Sequence, residues 1–190
     1  MNTNAVLQTI ASRFSCRAYT DQIVDPADID AIVQAGLEAP SAMNLQPWRI
    51  AVMTDPADLK ALNDAGLAQL EVSNPTGYQR MMDRGGTLIY NAPAVIIVSV
   101  EDDDKAFSPL LDAGIVVSQL ALAATSLGLN SCIAAFPGLG FQGEAGVQLA
   151  TRYIPQGCRF AISLIIGHGQ VANGQPHAID RSRLVVTTEN

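Results

Sequence analysis

The fold is decided by Ala94-Val95-Ile96-Ile97-Val98-Ser99-Val100, a run in which five of seven residues are β-branched and one is polar. Such a run favours a β-strand, and the lack of polar alternation indicates that both of its faces are buried. The acidic residues that follow, Glu101-Asp102-Asp103-Asp104, return the chain to water. This run therefore predicts a sheet that lies inside the domain.

The segments on either side of this run alternate between helical and strand patterns. Helices are predicted from the spacing of apolar residues and from two start signals, Asp25-Pro26 and Asp55-Pro56. They run from residue 5 to the arginines near residue 14, and over 26–38, 57–70, 110–127 and 143–153. Strands are predicted over 48–53, 94–100, 130–136 and 159–167, with a short strand or arm over 181–186. The helix over 110–127 is apolar nearly all round, so we expect it to be buried. The polar, glycine-bearing segment 71–86 is the best candidate for a mobile lid. The pattern predicts an α/β or α+β sandwich that forms one domain over residues 1–190.

The composition limits the classes of partner. Charged residues make up 15% of the 190 residues, against a usual value of about 25%, and hydrophobic residues make up 48%. So few charges suggest that apolar surface is covered in an oligomer. The net charge of −7 disfavours nucleic acid and anionic membranes as partners, because both require a basic face. A small-molecule ligand is the better expectation.

The three cysteines, Cys16, Cys132 and Cys158, form no Cys-x-x-Cys pair, so we expect neither a disulfide framework nor a zinc site. A reducing cytoplasm is the simplest compartment. The first twenty residues lack the pattern of a signal peptide. The longest continuous apolar stretches, over 92–100 and 160–167, are shorter than the roughly 18 residues that a membrane helix needs, which predicts a soluble protein.

Arginine dominates the basic residues, with nine arginines and two lysines. The planar guanidinium group matches phosphate oxygens in pairs. Arg13 and Arg17 would share a face if a helix continued through them, and Arg181 and Arg183 would share one side of a strand. Two converging pairs could hold a phosphate dianion. The alternative is that each arginine pairs with an acid at the surface.

A second polar segment, Pro40-Ser41-Ala42-Met43-Asn44-Leu45-Gln46-Pro47-Trp48, lies between a predicted helix and a predicted strand. Its hydroxyl, amide and backbone groups could face a heteroaromatic ring that carries both donors and acceptors. The alternative is a plain helix-to-strand connection in which Trp48 belongs to the core.

Other motifs are weaker. The residues over 138–143 match G-x-G-x-x-G, but Pro137 lies at the turn and 153–170 contain no acid to bind a ribose, so a glycine turn is the better interpretation. No G-x-S-x-G hydrolase motif is present, and His168 and His177 lack acidic neighbours at metal spacing. We predict no metal site.

Two segments together resemble the nitroreductase family of FMN-dependent oxidoreductases. Residues 12–19 are similar to the family's R-R-S-x-R-x-F opening, and residues 40–48 to its P-S-x-x-N-x-Q-P-W segment. The resemblance continues through residues 90–95, 112–128, 133–136 and 181–184, and so spans nearly the whole chain.

The resemblance implies an α+β, three-layer α/β/α sandwich with a mostly antiparallel central sheet, as an intertwined homodimer with FMN at the subunit interface. Arg13 and Ser15 would contact the FMN phosphate, Phe14 would contribute its backbone, and Arg17 would lie toward flavin N1. Arg181 and Arg183 would close over the phosphate. The backbone of Ala134 and Ala135 would face flavin N5. The residues that would reach the same FMN from the other subunit are Pro40, Ser41, Ala42 and Asn44.

The implied activity is hydride transfer from NAD(P)H through FMN N5 to a nitroaromatic, quinone or flavin in a ping-pong cycle, with no catalytic side chain.

Two departures from the family pattern stand out. Ala134 and Ala135 replace an acid and a glycine, and Gly85 and Leu88 stand where relatives carry Asn and Lys, with Arg84 a possible substitute. The alternatives are a non-enzymatic flavin-binding or regulatory dimer, and a different flavin reaction on the same fold, of the dehalogenase or flavin destructase type. The acceptor and the choice between NADH and NADPH do not follow from the sequence.

Overall fold

The computed structural model describes residues 4–102, 108–170 and 180–184. The helices are α1 (Ala5–Ser12), α2 (Pro26–Leu37), α3 (Pro56–Ser73), α4 (Pro75–Met82), α5 (Pro109–Ser126) and α6 (Gly143–Tyr153). The strands are β1 (Trp48–Met53), β2 (Ala94–Glu101), β3 (Asn130–Ala134) and β4 (Cys158–Gly167). Short 3₁₀ turns cover Ala42–Asn44, Phe136–Phe141 and Arg181–Arg183.

The four strands form one antiparallel sheet in the order β1-β2-β4-β3. Trp48 of β1 pairs with Val100 of β2, and Ala94 of β2 pairs with Ile166 of β4. The register of β2 against β4 shifts once, between Val98 and Ser99. β2 and β4 are therefore central, whereas β1 and β3 form opposite edges.

β2 joins two separate cores, because its side chains alternate between the two faces of the sheet. Ile96 and Val98 pack with residues of α2 and α5, and Val95 and Ile97 pack with residues of α3 and α6. The expected three-layer α/β/α arrangement is present, with the sheet buried between the two helical layers. The mostly antiparallel sheet that the family resemblance implied is confirmed.

The predicted helix starts are also observed. Asp25 accepts a hydrogen bond from the Ala27 N–H at 2.8 Å, and Asp55 accepts one from the Ala57 N–H at 2.8 Å. In both helices proline follows as the first helical residue, where its missing N–H costs no helical hydrogen bond. The α3 helix continues to Ser73, three residues beyond the predicted end.

α5 is only partly buried, contrary to the expectation of a fully buried helix. Val116 and Leu120 are completely buried against the sheet, but Leu111 is 68% exposed and Ile115 is 39% exposed. Within the described residues, α5 is the one helix long and apolar enough to cross a membrane. Its inner face packs against the sheet, as that of a core helix in a globular domain does.

The predicted end of the third strand is wrong. β3 ends at Ala134 rather than at residue 136, since a 3₁₀ turn begins at Phe136 and Pro137 has no N–H for a strand ladder. Glycine in this turn serves packing: a Cβ on Gly140 would lie 2.3 Å from the Leu62 carbonyl oxygen. This agrees with the interpretation of G-x-G-x-x-G as a glycine turn.

The segment 71–86, predicted as a lid, is largely helical. α3 covers its first residues, and α4 starts where the Asn74 side chain accepts a hydrogen bond from the Gly77 N–H at 2.9 Å. Asparagine followed by proline, as in Asn74-Pro75, favours a turn in a polar segment but is also a good helix start. That the segment acts as a lid stays a prediction.

A buried carboxylate fastens α3 to α6. Asp58 is 8% exposed, and its two oxygens accept hydrogen bonds from the Arg152 guanidinium and, at 2.5 Å, from the Tyr153 hydroxyl. The Tyr153 hydroxyl, as the largest effect, and Arg152 lower the pKa of Asp58 against the opposing effect of burial. Burial and the same hydrogen bond raise the pKa of Tyr153 to about 12.

We expect Asp58→Asn to lower the melting temperature, because it removes the charge that both donors face. A carboxyl whose pKa is lowered on folding stabilises the protein above its ordinary pKa of 3.8, and this stabilisation is lost as the pH falls through the folded value. The difference in melting temperature between wild type and variant should thus shrink as the pH approaches 3. Asp64→Asn, at an exposed position of the same helix, is the control, and an equal loss in both variants at neutral pH would contradict the assignment.

Candidate functional site

The segment that follows α1 lies along the outer edge of β3. α1 ends at Ser12, and the chain continues in extended form, so Ser15 forms a parallel bridge with Ser131. The Cys16 N–H donates to the Ser131 carbonyl at 2.9 Å. Arg13 and Arg17 are therefore not on one helical face, as a continued helix would have placed them.

The charges of both arginines nevertheless reach one residue of β3, Cys132. An Arg17 N–H (Nη1) donates to the Ser15 carbonyl at 3.5 Å. Burial raises the pKa of the Cys132 thiol, and the positive charge of Arg17, the Ser15 side chain and the charge of Arg13 oppose that rise. Arg13, Ser15 and Arg17 are therefore all close enough to Cys132 to influence its thiol. Phe14 packs its side chain into the core on the α3 side, which leaves its backbone for contacts.

Tyr19 fixes the far end of this segment, a role that the sequence did not reveal. Its hydroxyl donates to the Cys16 carbonyl at 3.0 Å, and its carbonyl accepts a hydrogen bond from the Gln170 side chain at 2.7 Å. Burial, the largest effect, raises the pKa of Tyr19 well above its ordinary value. The hydroxyl thus stays protonated and holds the backbone of residues 16–19 against the sheet.

The end of β3 offers a small, accessible stretch of chain. The Ala134 carbonyl accepts a hydrogen bond from the Ser163 hydroxyl at 2.7 Å, and the Ala135 carbonyl accepts one from the Gly138 N–H at 3.0 Å. Ala135 is exposed, and Phe136 beside it is 51% exposed. Methyl side chains at this point leave room for a flat ligand to approach the backbone.

The second polar segment has an unusual backbone. Met43, Asn44 and Gln46 all have a left-handed φ, at 53°, 56° and 48°. Such residues cost on the order of 1–3 kcal/mol each when they are not glycine, and they persist only where the surroundings hold them. Because Met43 is 87% exposed, packing of its side chain does not explain its conformation.

Polar side chains hold this loop. The Ser41 hydroxyl accepts from the Gln46 N–H at 2.9 Å, and the Asn44 side chain accepts from the Gln46 amide at 2.9 Å. Asp112, in the first turn of α5, accepts from the Ala42 N–H at 3.2 Å. A plain helix-to-strand connection would not need this arrangement. Trp48 is buried in the core, as the alternative interpretation of the segment had it.

The two polar segments do not meet within one chain. The loop precedes β1 and the arginine segment lies along β3, and these strands are the two edges of the sheet. Three spacings between neighbouring strands amount to about 14 Å. Each chain thus carries two separate half-sites, the arginine half-site (Arg13–Arg17 with Ala134 and Ala135) and the loop half-site (Pro40–Gln46).

The predicted strand over 181–186 is wrong for the residues that are described. Arg181–Arg183 form a 3₁₀ turn, in which Asp180 accepts from the Ser182 N–H at 3.0 Å and from Arg183 Nε at 3.2 Å. The argument that Arg181 and Arg183 share a strand face therefore fails. Hydrogen bonds from Ser182 and Arg183 lower the pKa of Asp180. The Arg181 side chain and residues 185–186 lie outside the described residues.

The structure explains one departure from the family pattern. Leu88 is 1% exposed and packs against Gly66, and its N–H donates to the Asn63 side chain at 2.9 Å. Leu88 is thus a core residue that does not face a ligand. Gly85 has a φ of 103°, which favours glycine, so this position serves a turn. Among the described residues, no group of three metal-ligating side chains occurs.

An antiparallel sheet between two helical layers, with arginines and a strained polar loop at its edges, defines an α+β ligand-binding domain. Comparison with known proteins then gives the family: residues 10–140 match the model of the nitroreductase family, and the chain belongs to that family.

Individual relatives agree with this assignment. A crystal structure of a nitroreductase with bound FMN from Desulfitobacterium hafniense superposes with a TM-score of 0.92 at 33% identity, covering 98% of this chain and 100% of that one. The NADH dehydrogenase of Thermus thermophilus is 47% identical over 60 residues, which are 32% of this chain and 29% of that protein. The FMN reductase (NADPH) of Bacillus subtilis is 26% identical over 132 residues, 68% of this chain and 53% of that protein. The chain thus spans between about a third and a half of the length of these two curated relatives.

Proposed function

We propose that the protein is an FMN-dependent oxidoreductase that takes electrons from NAD(P)H. The observation that supports this most strongly is the pair of half-sites at the sheet edges, on the fold of a nitroreductase that binds FMN. The curated relatives are named for NADH and NADPH, which supports a nicotinamide as electron donor. Neither comparison identifies the electron acceptor.

The donors of the arginine half-site fit a phosphate ester. Arg13, Arg17 and Ser15 supply two cationic groups and a hydroxyl around Cys132 of β3, and the buried Ser131 hydroxyl beside them has no partner. We propose that Arg13, Ser15 and the Phe14 backbone hold the FMN phosphate, that Arg17 faces the pyrimidine end of the flavin, and that Arg181 and Arg183 close over the phosphate. Pro40, Ser41, Ala42 and Asn44 complete the site from a second copy.

FMN supplies hydride chemistry at N5, by which electrons pass from NAD(P)H to an acceptor such as a nitroaromatic, a quinone or a flavin. The chain's own residues bind and orient it. Arg17 places positive charge where reduced flavin carries negative charge, and the Ala134-Ala135 backbone leaves the reactive edge open. No side-chain nucleophile is required of the protein, so we assign no catalytic side chain.

We propose that the active form is a homodimer. An apolar face made of exposed residues of α1 and α5 includes Val6, Leu7, Ile10, Leu111 and Ile115. Beside it a groove of about 370 Å³ is lined by residues of α1, α2 and α5, where the buried Gln119 side-chain oxygen lacks a partner. A second copy on this face would cover the apolar surface and bring together half-sites that one chain keeps apart.

With three free cysteines, a reducing cytoplasm is the proposed location.

A second candidate is a flavin-binding dimer without enzyme activity. It is favoured by the end of β3, where the side chains of Ala134 and Ala135 offer no polar group and both carbonyls are already hydrogen-bonded. NAD(P)H oxidation separates this candidate from an enzyme.

The first test is the visible spectrum of the purified protein with added FMN, followed by NADH and then NADPH under nitrogen. We expect bound yellow flavin that bleaches with at least one nicotinamide. Bound flavin that bleaches with neither nucleotide would favour the non-enzymatic dimer. A protein that binds no FMN would exclude the proposed function.

We expect Arg13→Ala and Arg183→Ala each to weaken FMN binding about ten- to 150-fold, because each removes a charge-assisted contact worth about 1.5–3 kcal/mol. The dissociation constant follows from quenching of flavin fluorescence. Arg159→Ala, which breaks an ion pair with Asp102 at the surface, is the control. Wild-type affinity in both test variants would show that the phosphate site lies elsewhere.

We expect Ile115→Arg to convert the dimer to a monomer and to abolish tight FMN binding, since a charge on the apolar face opposes its burial. Sedimentation equilibrium gives the mass and the fluorescence titration gives the affinity. Val147→Arg is the matched control, because Val147 is also exposed but lies on α6 across the sheet. Tight FMN binding by a monomeric variant would contradict a site built from two copies.

A further inference from the structure

We infer that Asp112 is a positioning residue, which holds the loop half-site in the shape that binds flavin; this inference rests on the proposed function. Asp112 lies 70 residues from Ala42 in the sequence and accepts the Ala42 N–H hydrogen bond through Oδ1 at 3.2 Å. It is 5% exposed. The inner face of α5, the helix that carries Asp112, is otherwise built from apolar residues of the core.

The Asp112 contact differs in kind from the other bonds of the loop. The bonds from Gln46 to Ser41 and Asn44 lie within the loop, so they keep its shape but do not fix its place. The end of the loop is tied to the sheet, where the Glu101 N–H donates to the Pro47 carbonyl at 2.9 Å. Among the described residues, Asp112 is the side chain from outside the loop that hydrogen-bonds its first half.

The burial of Asp112 is costly, which argues that the contact is used. A buried carboxylate loses its hydration, and Oδ2 of Asp112 is buried without a partner. The positive end of α5 offsets part of this cost. That favourable effect does not require deep burial: Asp28 occupies the first turn of α2 while half-buried. The additional burial of Asp112 serves the Ala42 amide, at the start of a turn with left-handed Met43 and Asn44.

The contact can be removed from either side. Asp112→Ala removes the acceptor, and Ala42→Pro removes the N–H donor. Proline fits here, because Ser41 has the extended conformation (φ −134°, ψ 161°) that residues before proline prefer, and Ala42 is the first residue of a 3₁₀ turn.

FMN affinity is measured by fluorescence titration for the wild type, Asp112→Ala, Ala42→Pro and the double variant. We expect each single variant to weaken FMN binding at least fivefold. The double variant should bind no more weakly than the weaker single variant, because both changes remove the same hydrogen bond. Additive losses, or affinities within twofold of wild type in folded variants, would overturn the inference.

Two further variants separate positioning from general stability. Asp112→Asn keeps an oxygen that can accept the Ala42 N–H and should recover most of the affinity. If Asp112→Ala does not fold, Ala42→Pro carries the test. Asp28→Ala removes a first-turn acid that does not touch the loop, and should leave FMN affinity unchanged.

Amide hydrogen exchange of the flavin-free protein provides a readout independent of flavin. In Ala42→Pro and Asp112→Ala we expect faster exchange in peptides covering 41–46 with unchanged exchange in α5, because each variant removes the hydrogen bond between Asp112 and the Ala42 N–H. Equal exchange in wild type and both variants would overturn the inference. If the wild type binds no FMN, the proposed function fails, and the exchange comparison still decides whether Asp112 holds the loop.

Discussion

The complete burial of β2 on both faces is the constraint on which the rest of the structure depends. Residues 94–100 are at most 1% exposed, and the strand ends at the polar Glu101. β1 and β4 form the backbone hydrogen bonds on the two sides of β2. A strand in this position requires a helical layer against each face. Polar groups available to a ligand therefore lie at the edges of the sheet, where the proposed arginine half-site and loop half-site are found.

The order of the strands is the basis of the proposal that the site is built from two copies. Because β1 and β3 are opposite edges, the proposed half-sites of one chain are separated by the width of the sheet. The apolar face of α1 and α5 is available for a second chain. The low content of charged residues agrees with the proposed dimer, since a surface that is covered in a dimer does not need charges to remain soluble.

Much of the fold follows from the sequence, because apolar periodicity and the Asp-Pro starts act locally. β2 and the beginnings of α2 and α3 are where the sequence predicts them. The errors occur where two local signals compete: Pro137 ends β3 early, Asn74 caps a helix rather than a turn, and Arg181–Arg183 form a turn around Asp180. In the site, local and distant contacts divide the residues that the sequence reveals from those that it does not. Its arginines and loop are recognisable as motifs, whereas Asp112 and Tyr19 act through contacts with distant segments, which local patterns do not encode.

α5 connects the core, the proposed interface and the loop. Its inner face packs on β2 through Val116 and Leu120, its outer flank carries Leu111 and Ile115, and its first turn presents Asp112 to Ala42. A helix that is close-packed on one side moves as a rigid unit, so the position of the loop depends on the seating of α5 on the sheet. In the proposed dimer, association at the outer flank would stabilise that seating. The loop half-site would then be held most firmly in the dimer, where a second copy supplies the arginine half-site.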